Sequence, residues 1–345
     1  MPRQLSLGEH IVAEPERVRA IYGAVIAADA ALPAFCVESQ WQTHAIIAAV
    51  DEMATELGVP ALPVTVSATG HHEHRTQLLN YADVTDGADR DPAVIGFEHM
   101  LFDLDRALEA TKNKVLAIPH LDHCDPRHDA ALIDYALEHQ VAGTLMYDAS
   151  YLPDDKNINL TKAFAERAKG RTLLEGICEQ ILEPGEHRDP SEQTDLGAVQ
   201  RYVEEVQPFL VVANLGSEHR QTRDDYRPEY RGDIARALTE RLGRRMLVLH
   251  GSSSLSDQGL GQLPYDGVVK INIWTRTERL AVRGIAKYID DHRDQVVDHQ
   301  DLDYFPLMHL RRAYIAELKR IYREYMLAFG YERLRDQQEA LRAVV

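Results

Sequence analysis

Eight short apolar runs, each followed by a helical pattern or a helix-sized gap, constrain this chain more than any other feature of its sequence. The runs are Leu32–Glu38, Ala61–Ser67, Val115–Leu121, Thr144–Tyr147, Thr172–Cys178, Phe209–Leu215, Met246–Leu249 and Val268–Ile273. Apolar runs this short, bounded by polar turns, suit strands buried on both faces. Between them lie helical patterns: Ile46, Val50, Met53 and Leu57 with Gly58 and Pro60 as a stop, then Ala130–His139, Leu160–Ala168, Leu196–Val206 and Ile234–Leu242. A helical stretch, Glu14–Ala31, comes before the first run, and a polar region at about 75–92 leads into an amphipathic helix ending near Lys112. Eight strand-helix units in one chain without a composition break predict an α/β fold, a single (β/α)8 TIM barrel rather than a doubly wound sheet. Extra C-terminal helices follow, Glu278–His292 and Leu307–Phe329, separated by a polar linker at Asp294–Asp303. Residues 1–345 are expected to form one barrel domain, with 304–345 a helical arm set against a partner subunit in a homodimer or homotetramer.

Length alone leaves one or two domains open, because 345 residues exceed the usual single-core size while a large barrel can reach it. A net charge of −17 disfavours nucleic acid as a partner, since binding a phosphate backbone normally takes a basic face. Small anionic substrates remain possible through local Arg, Lys and backbone N–H groups. Cys36, Cys124 and Cys178 show no CxxC spacing, which suggests neither a disulfide framework nor a cysteine zinc site. The first ten residues lack the apolar core of a signal peptide, and no window approaches the ~18 apolar residues of a membrane span. A soluble protein of the reducing cytoplasm, with no membrane partner, is the expectation.

Chemistry enters at the ends of the runs. Val115–Asp125 reads V-L-A-I-P-H-L-D-H-C-D, so imidazoles and carboxylates stand where a buried strand meets solvent. Other runs end alike: Asp148 after the fourth, Glu179 after the fifth, His219 after the sixth, His250 after the seventh and Asn272 within the eighth. In a barrel these ends converge on one mouth. One such histidine reads as a cap or surface residue, but three beside carboxylates read as metal ligands. Three neutral imidazoles leave a tetrahedral ion one open position for a substrate oxygen, the arrangement of a catalytic zinc. Zinc there acts as a Lewis acid. Asp122, next to a ligand, either exchanges a proton with bound substrate or supports an imidazole.

The motifs H-L-D-H-C (120–124), M-Y-D-A-S (146–150), N-L-G-S-E-H-R (214–220), L-H-G-S-S-S (249–254) and K-I-N-I-W-T (270–275) together resemble those of class II, metal-dependent ketose-bisphosphate aldolases, in order and spacing, from about Leu32 to near Phe329. The resemblance implies a Zn2+ cofactor on His123, His219 and His250, with Asp122 handling the proton of the aldol hydroxyl. It also implies that Asn272 holds the enediolate of the ketose half. Asp148 and Glu179 match positions tied to a second, displaced metal site, and Glu175 competes with Glu179. The loop E-P-G-E-H-R-D (183–189) resembles the mobile loop that supplies the enolisation base, here Glu186 or His187. Gly251, Ser252 and Ser253 keep an anion-binding loop, and Thr275 falls in the last motif.

Departures cluster where substrate, not metal, is bound. Arg220 replaces a phosphate-cradling glycine, Trp274 an aspartate, Cys36 an asparagine and Ala68 a serine, although Ser67 and Thr69 flank the last. Arg220 and Arg223 suit a carboxylate or phosphate clamp, or else pair with Asp224 and Asp225 on the surface. His71, His72 and His74 either face the mouth and touch the distal end of a substrate or form a solvated loop. The implied activity is reversible aldol cleavage of a phosphorylated ketose or related sugar through a metal-stabilised enediolate, with fructose 1,6-bisphosphate not the best substrate. The alternatives are a metal-dependent sugar-phosphate isomerase or epimerase, and a non-catalytic barrel subunit assisting a partner aldolase.

Overall fold

The computed structural model describes residues 7–72, 76–82, 89–181, 194–218, 230–298 and 305–344. Eight parallel strands close on themselves: β1 Leu32–Cys36, β2 Ala61–Thr69, β3 Lys114–Cys124, β4 Thr144–Tyr147, β5 Leu173–Ile177, β6 Leu210–Val212, β7 Leu247–Leu249 and β8 Val268–Ile273. β1 pairs with both β2 and β8, which completes the circle. Every strand residue except Lys114 is buried, because one face points into the barrel and the other under the helices. That double burial is why the runs read as continuously apolar instead of alternating. The fold is a (β/α)8 TIM barrel.

Helices form the outer layer. α1 (Pro15–Ala27) precedes β1, α2 (Gln40–Leu57) follows it, and α3 (Gln77–Ala82) and α4 (Pro92–Glu109) follow β2. α5 (Ala130–His139), α6 (Asp154–Ala168), α7 (Leu196–Val206) and α8 (Gly232–Leu242) follow the next four strands in turn, α9 (Asp257–Gln262) follows β7 and α10 (Thr275–Asp291) follows β8. α11 (Arg293–Val296), α12 (Pro306–Ala328) and α13 (Gln338–Arg342) come last. Local signals set several ends: Asp91 caps α4 by accepting from Ala93 and Val94 N–H with Pro92 just inside, and Gly58 stops α2 in a left-handed conformation.

Several boundaries differ from the sequence reading by a few residues; α11 takes up the start of the expected polar linker, whose residues 299–303 lie outside the described ones, and three further differences bear on the site or the packing. β3 runs on to Cys124, through the residues expected to lie beyond it. α3 occupies part of the region read as polar loop, where Leu78 and Tyr81 are buried. α6 begins at Asp154, well before Leu160, because Asp154 and Asp155 suit the positive end of a helix while giving no apolar signal. The second half of α12 packs inward through Leu318, Ile321, Tyr322, Tyr325 and Met326, with the Tyr322 ring 4.4 Å from that of Phe35 on β1. Beyond it the Tyr331 hydroxyl donates to the Pro63 carbonyl (2.6 Å), securing this segment to β2. Phe305, Leu307 and Met308, at the start of α12, are exposed.

Candidate metal centre and active site

Successive residues of a strand face opposite ways, so Asp122 and His123 should not both reach the barrel mouth. They do. The register between β3 and β4 breaks between Leu121 and Cys124, and His123 takes a left-handed conformation with φ 48°. A non-glycine residue held there is strained, and such strain persists only where surrounding structure enforces it. The local turn brings ligand atoms of Asp122, His123 and His250 within 4.8 Å of one another, all three residues buried.

The two imidazoles are oriented from behind. His123 Nδ1 lies 2.7 Å from Asp148 Oδ2, so its N–H donates to that carboxylate and Nε2 carries the lone pair. His250 Nε2 lies 3.5 Å from Glu175 Oε1, which by the same argument leaves Nδ1 as its lone pair. The two other nitrogens, His123 Nε2 and His250 Nδ1, face each other at 3.2 Å. With both rings in those tautomers, a cation between them relieves the repulsion of two lone pairs. Burial also lowers the pKa of His250, against the pull of Glu175 and Asp122, so a proton is a poor bridge. The 3.2 Å gap matches the roughly 3.3 Å between neighbouring ligands of a tetrahedral zinc with Zn–N bonds of about 2.0–2.1 Å. The donor set therefore fits a divalent metal on His123 Nε2 and His250 Nδ1.

Charge continues inward from these two imidazoles. Lys270 of β8, buried with no exposed surface, donates to Glu175 Oε2 at 2.7 Å and to His120 Nε2 at 2.9 Å. His120 Nδ1 lies 2.7 Å from the Thr144 hydroxyl. Burial opposes the charge of Glu175, but Lys270 and the imidazoles outweigh it and hold the carboxyl at about 2. Asp148 is likewise held at about 2, where burial is outweighed by His123 and by Ser150. Asp122 also stays ionised: burial opposes it, yet the neighbouring imidazoles, His123 first, keep it well below the usual carboxylate range. Asn272 donates to Asp122 Oδ1 at 2.9 Å and fixes that carboxylate from the β8 side.

Of the candidate substrate residues, Gly251, Ser252, Ser253, Asn272, Trp274 and Thr275 meet in one cleft with room for about 30 Å³, which Asp122, His250 and Cys36 also line. Gly251 sits at φ 71°, and a Cβ there would fall 2.6 Å from the Glu218 carbonyl, so only glycine fits. The Ser252 hydroxyl donates to the Asn272 carbonyl (2.7 Å) and that of Ser254 to Gly251 (2.8 Å), which ties the loop down. Glu179 stands apart from the convergent group, its Oε1 accepting from Asn214 N–H at 3.2 Å. It is Glu175 that joins His120 and Asp122 in a second cluster of potential ligands. His219, Arg220, Arg223, Glu186, His187 and His74 lie outside the described residues. The sequence reading overlooked Lys270, although a lysine inside an apolar run with a glutamate inside another is a signal for a buried pair.

Comparison with known proteins adds a family. A family model described as fructose-bisphosphate aldolase class-II matches residues 16–332. The fructose-bisphosphate aldolase of Mycoplasma genitalium is 26% identical over 201 residues, which are 57% of this chain and 66% of the relative, just under two thirds of its length. An uncharacterized Escherichia coli protein, YdjI, is 24% identical over 244 residues, 68% of this chain and 76% of the relative. Among solved structures, fructose-bisphosphate aldolase from Campylobacter jejuni superposes with a TM-score of 0.72 at 16% identity, covering 94% of this chain and 96% of that one. The YdjI aldolase from Escherichia coli K12 gives 0.64 at 22% identity, covering 91% and 96%. At these identities the structural likeness speaks for the barrel alone.

Proposed function

The chain belongs to the class II fructose-bisphosphate aldolase family, and from that premise we propose that it is a zinc-dependent aldolase acting on a phosphorylated ketose or related sugar other than fructose 1,6-bisphosphate. The observation that carries the reading is the pair of imidazole nitrogens 3.2 Å apart beside the buried, ionised Asp122. His123 and His250 would hold the ion, with His219 as third ligand. Bound zinc supplies Lewis acidity at the ketose carbonyl. Asp122 takes the proton from the C4 hydroxyl as the C3–C4 bond breaks and returns it in the condensation direction. Asn272, anchored to Asp122, presents its amide to the ketose half, and Glu186 or His187 moves the proton at the carbon that enolises. Asp148 and Glu179 would be the ligands of a second, displaced ion, or Glu175 in place of Glu179, since Glu175 is the one that groups with His120 and Asp122; Arg220 with Gly251–Ser253 would hold the substrate's anionic group.

Trp274 and Cys36 in the cleft wall support a substrate other than fructose 1,6-bisphosphate, because an indole accepts no hydrogen bond and a thiol is a weak partner. Among the described residues no helix is long and apolar enough to cross a membrane. A cytoplasmic setting, and a homodimer or homotetramer in which 304–345 serves as the arm, belong to the same reading; the exposed apolar side chains of Phe305, Leu307 and Met308 in that segment are available to a partner.

Metal analysis and cleavage assays test it together. Purified protein should carry stoichiometric zinc that His250→Ala loses, whereas Asp122→Ala should keep the metal and lose carbon–carbon cleavage by about 10²–10⁴-fold. Unchanged turnover in Asp122→Ala, or a metal content indifferent to His250→Ala, would sink the mechanism.

A further inference from the structure

Three buried side chains inside the barrel are set out like metal ligands, and the cation they meet is an ammonium. Ligand atoms of His120, Asp122 and Glu175 lie within 4.8 Å of one another, with His120 Nε2 3.6 Å from Asp122 Oδ1 and 4.0 Å from Glu175 Oε1. An ion with bonds of roughly 2.1–2.5 Å spans such gaps. The imidazole is also turned as a ligand would be. An ammonium only donates, so His120 Nε2 accepts from Lys270 Nζ at 2.9 Å and carries the lone pair. The ring proton is then on Nδ1 and goes to the hydroxyl of Thr144, 2.7 Å away at the paired position of β4. An acceptor behind the ring and a bare nitrogen in front are how a metal-binding histidine is held.

Lys270 enters from β8, on the same face of the strand as Asn272. Its Nζ donates to Glu175 Oε2 at 2.7 Å, and the residue has no exposed surface. Among the described residues Lys270 pairs with Glu175 and leaves Asp122 to Asn272, which donates to Asp122 Oδ1 at 2.9 Å. A fixed positive charge at this place offsets that of Glu175 and repels any second cation approaching the three ligand atoms. Of the carboxylates offered for a second ion, Glu175 is therefore already engaged.

We infer that the Lys270 ammonium stands in for a metal ion: it closes a latent cation site on His120, Asp122 and Glu175, and by keeping ions out it leaves Asp122 free to act on substrate. The part given to Asp122 rests on the aldolase reading; the closed site does not. An ion held there would take a lone pair of Asp122 and end its service as a base. Lys270 is a positioning residue that acts through what it excludes.

Removing the ammonium and supplying an ion tests this, with Mn2+ as the probe because it suits a site rich in carboxylates. In zinc-loaded protein, equilibrium dialysis should find one more Mn2+ per chain in Lys270→Met than in the unaltered protein, and none more in Lys270→Met combined with Glu175→Gln. The urea midpoint lost in Lys270→Met should return with the logarithm of the Mn2+ concentration. Over the same range its kcat for condensing dihydroxyacetone phosphate with D-glyceraldehyde should fall about 10²-fold or more as Asp122 is captured. The unaltered protein should show neither response. Equal ion counts in Lys270→Met and the unaltered protein would overturn the inference. So would a Lys270→Met that stays unfolded at every Mn2+ concentration, because an ion then cannot replace the ammonium. Stability restored with kcat intact would overturn the part given to Asp122. Failure of the unaltered protein to exchange the C3 hydrogen of dihydroxyacetone phosphate with D2O would instead sink the aldolase reading, and the ion count would decide the closed site by itself.

Discussion

At the scale of single residues, the candidate centre is controlled by groups one layer behind the ligands. Asp148 holds the Nδ1 side of the His123 ring and raises the basicity of Nε2, so Asp148→Asn should weaken zinc binding about 10–100-fold, measurable by chelator competition, with the fold intact. These residues also set the acid limit. Glu175 and Asp148 have folded pKa values of about 2 against ordinary values of 4.5 and 3.8, so the unfolded chain takes up protons first on acidification. Their stabilising contribution is complete above about pH 5 and is lost as pH falls toward 2. His250, lowered from 6.5 by burial, works in the same direction: below pH 6.5 the unfolded imidazole gains a proton that the folded one resists. The urea midpoint of metal-free protein should therefore fall steadily from pH 7 to pH 3; a flat profile would mean these groups titrate alike in both states.

At the scale of elements, the site depends on places where regular geometry is broken. The register break in β3 lets two consecutive residues face one cleft, which no alternating pattern predicts. The turn from β7 into the serine loop likewise needs a left-handed residue against the Glu218 backbone. Gly251→Ala should cost about 1–3 kcal/mol through strain at that position, and it should raise KM more than it lowers zinc content, because it displaces the loop and not His250. Urea denaturation and steady-state kinetics check both parts. Helix α3 shows the converse limit: six residues flanked by polar segments carry too little periodicity to be read, and packing on α4 decides that they are helical.

At the scale of the whole molecule, closing the barrel brings β8 within reach of β3 and β5, and Lys270, Glu175 and His120 meet in its interior. Lys270→Met leaves a carboxylate buried without its counter-charge and should destabilise by about 3–5 kcal/mol. Lys270→Met combined with Glu175→Gln should cost less than the sum of the single changes, a non-additivity readable in a double-mutant cycle. The sequence by itself determined the barrel, because eight doubly buried strands must be apolar and their helices must be amphipathic. It also determined that imidazoles and carboxylates gather at one end, since every parallel strand delivers its last residues to the same rim. Only the tertiary structure decided which of them face one another. That choice depends on strand register, on the turn at His123 and on partners up to 150 residues away, such as Lys270 for His120, and no local pattern encodes the meeting of side chains so distant in sequence.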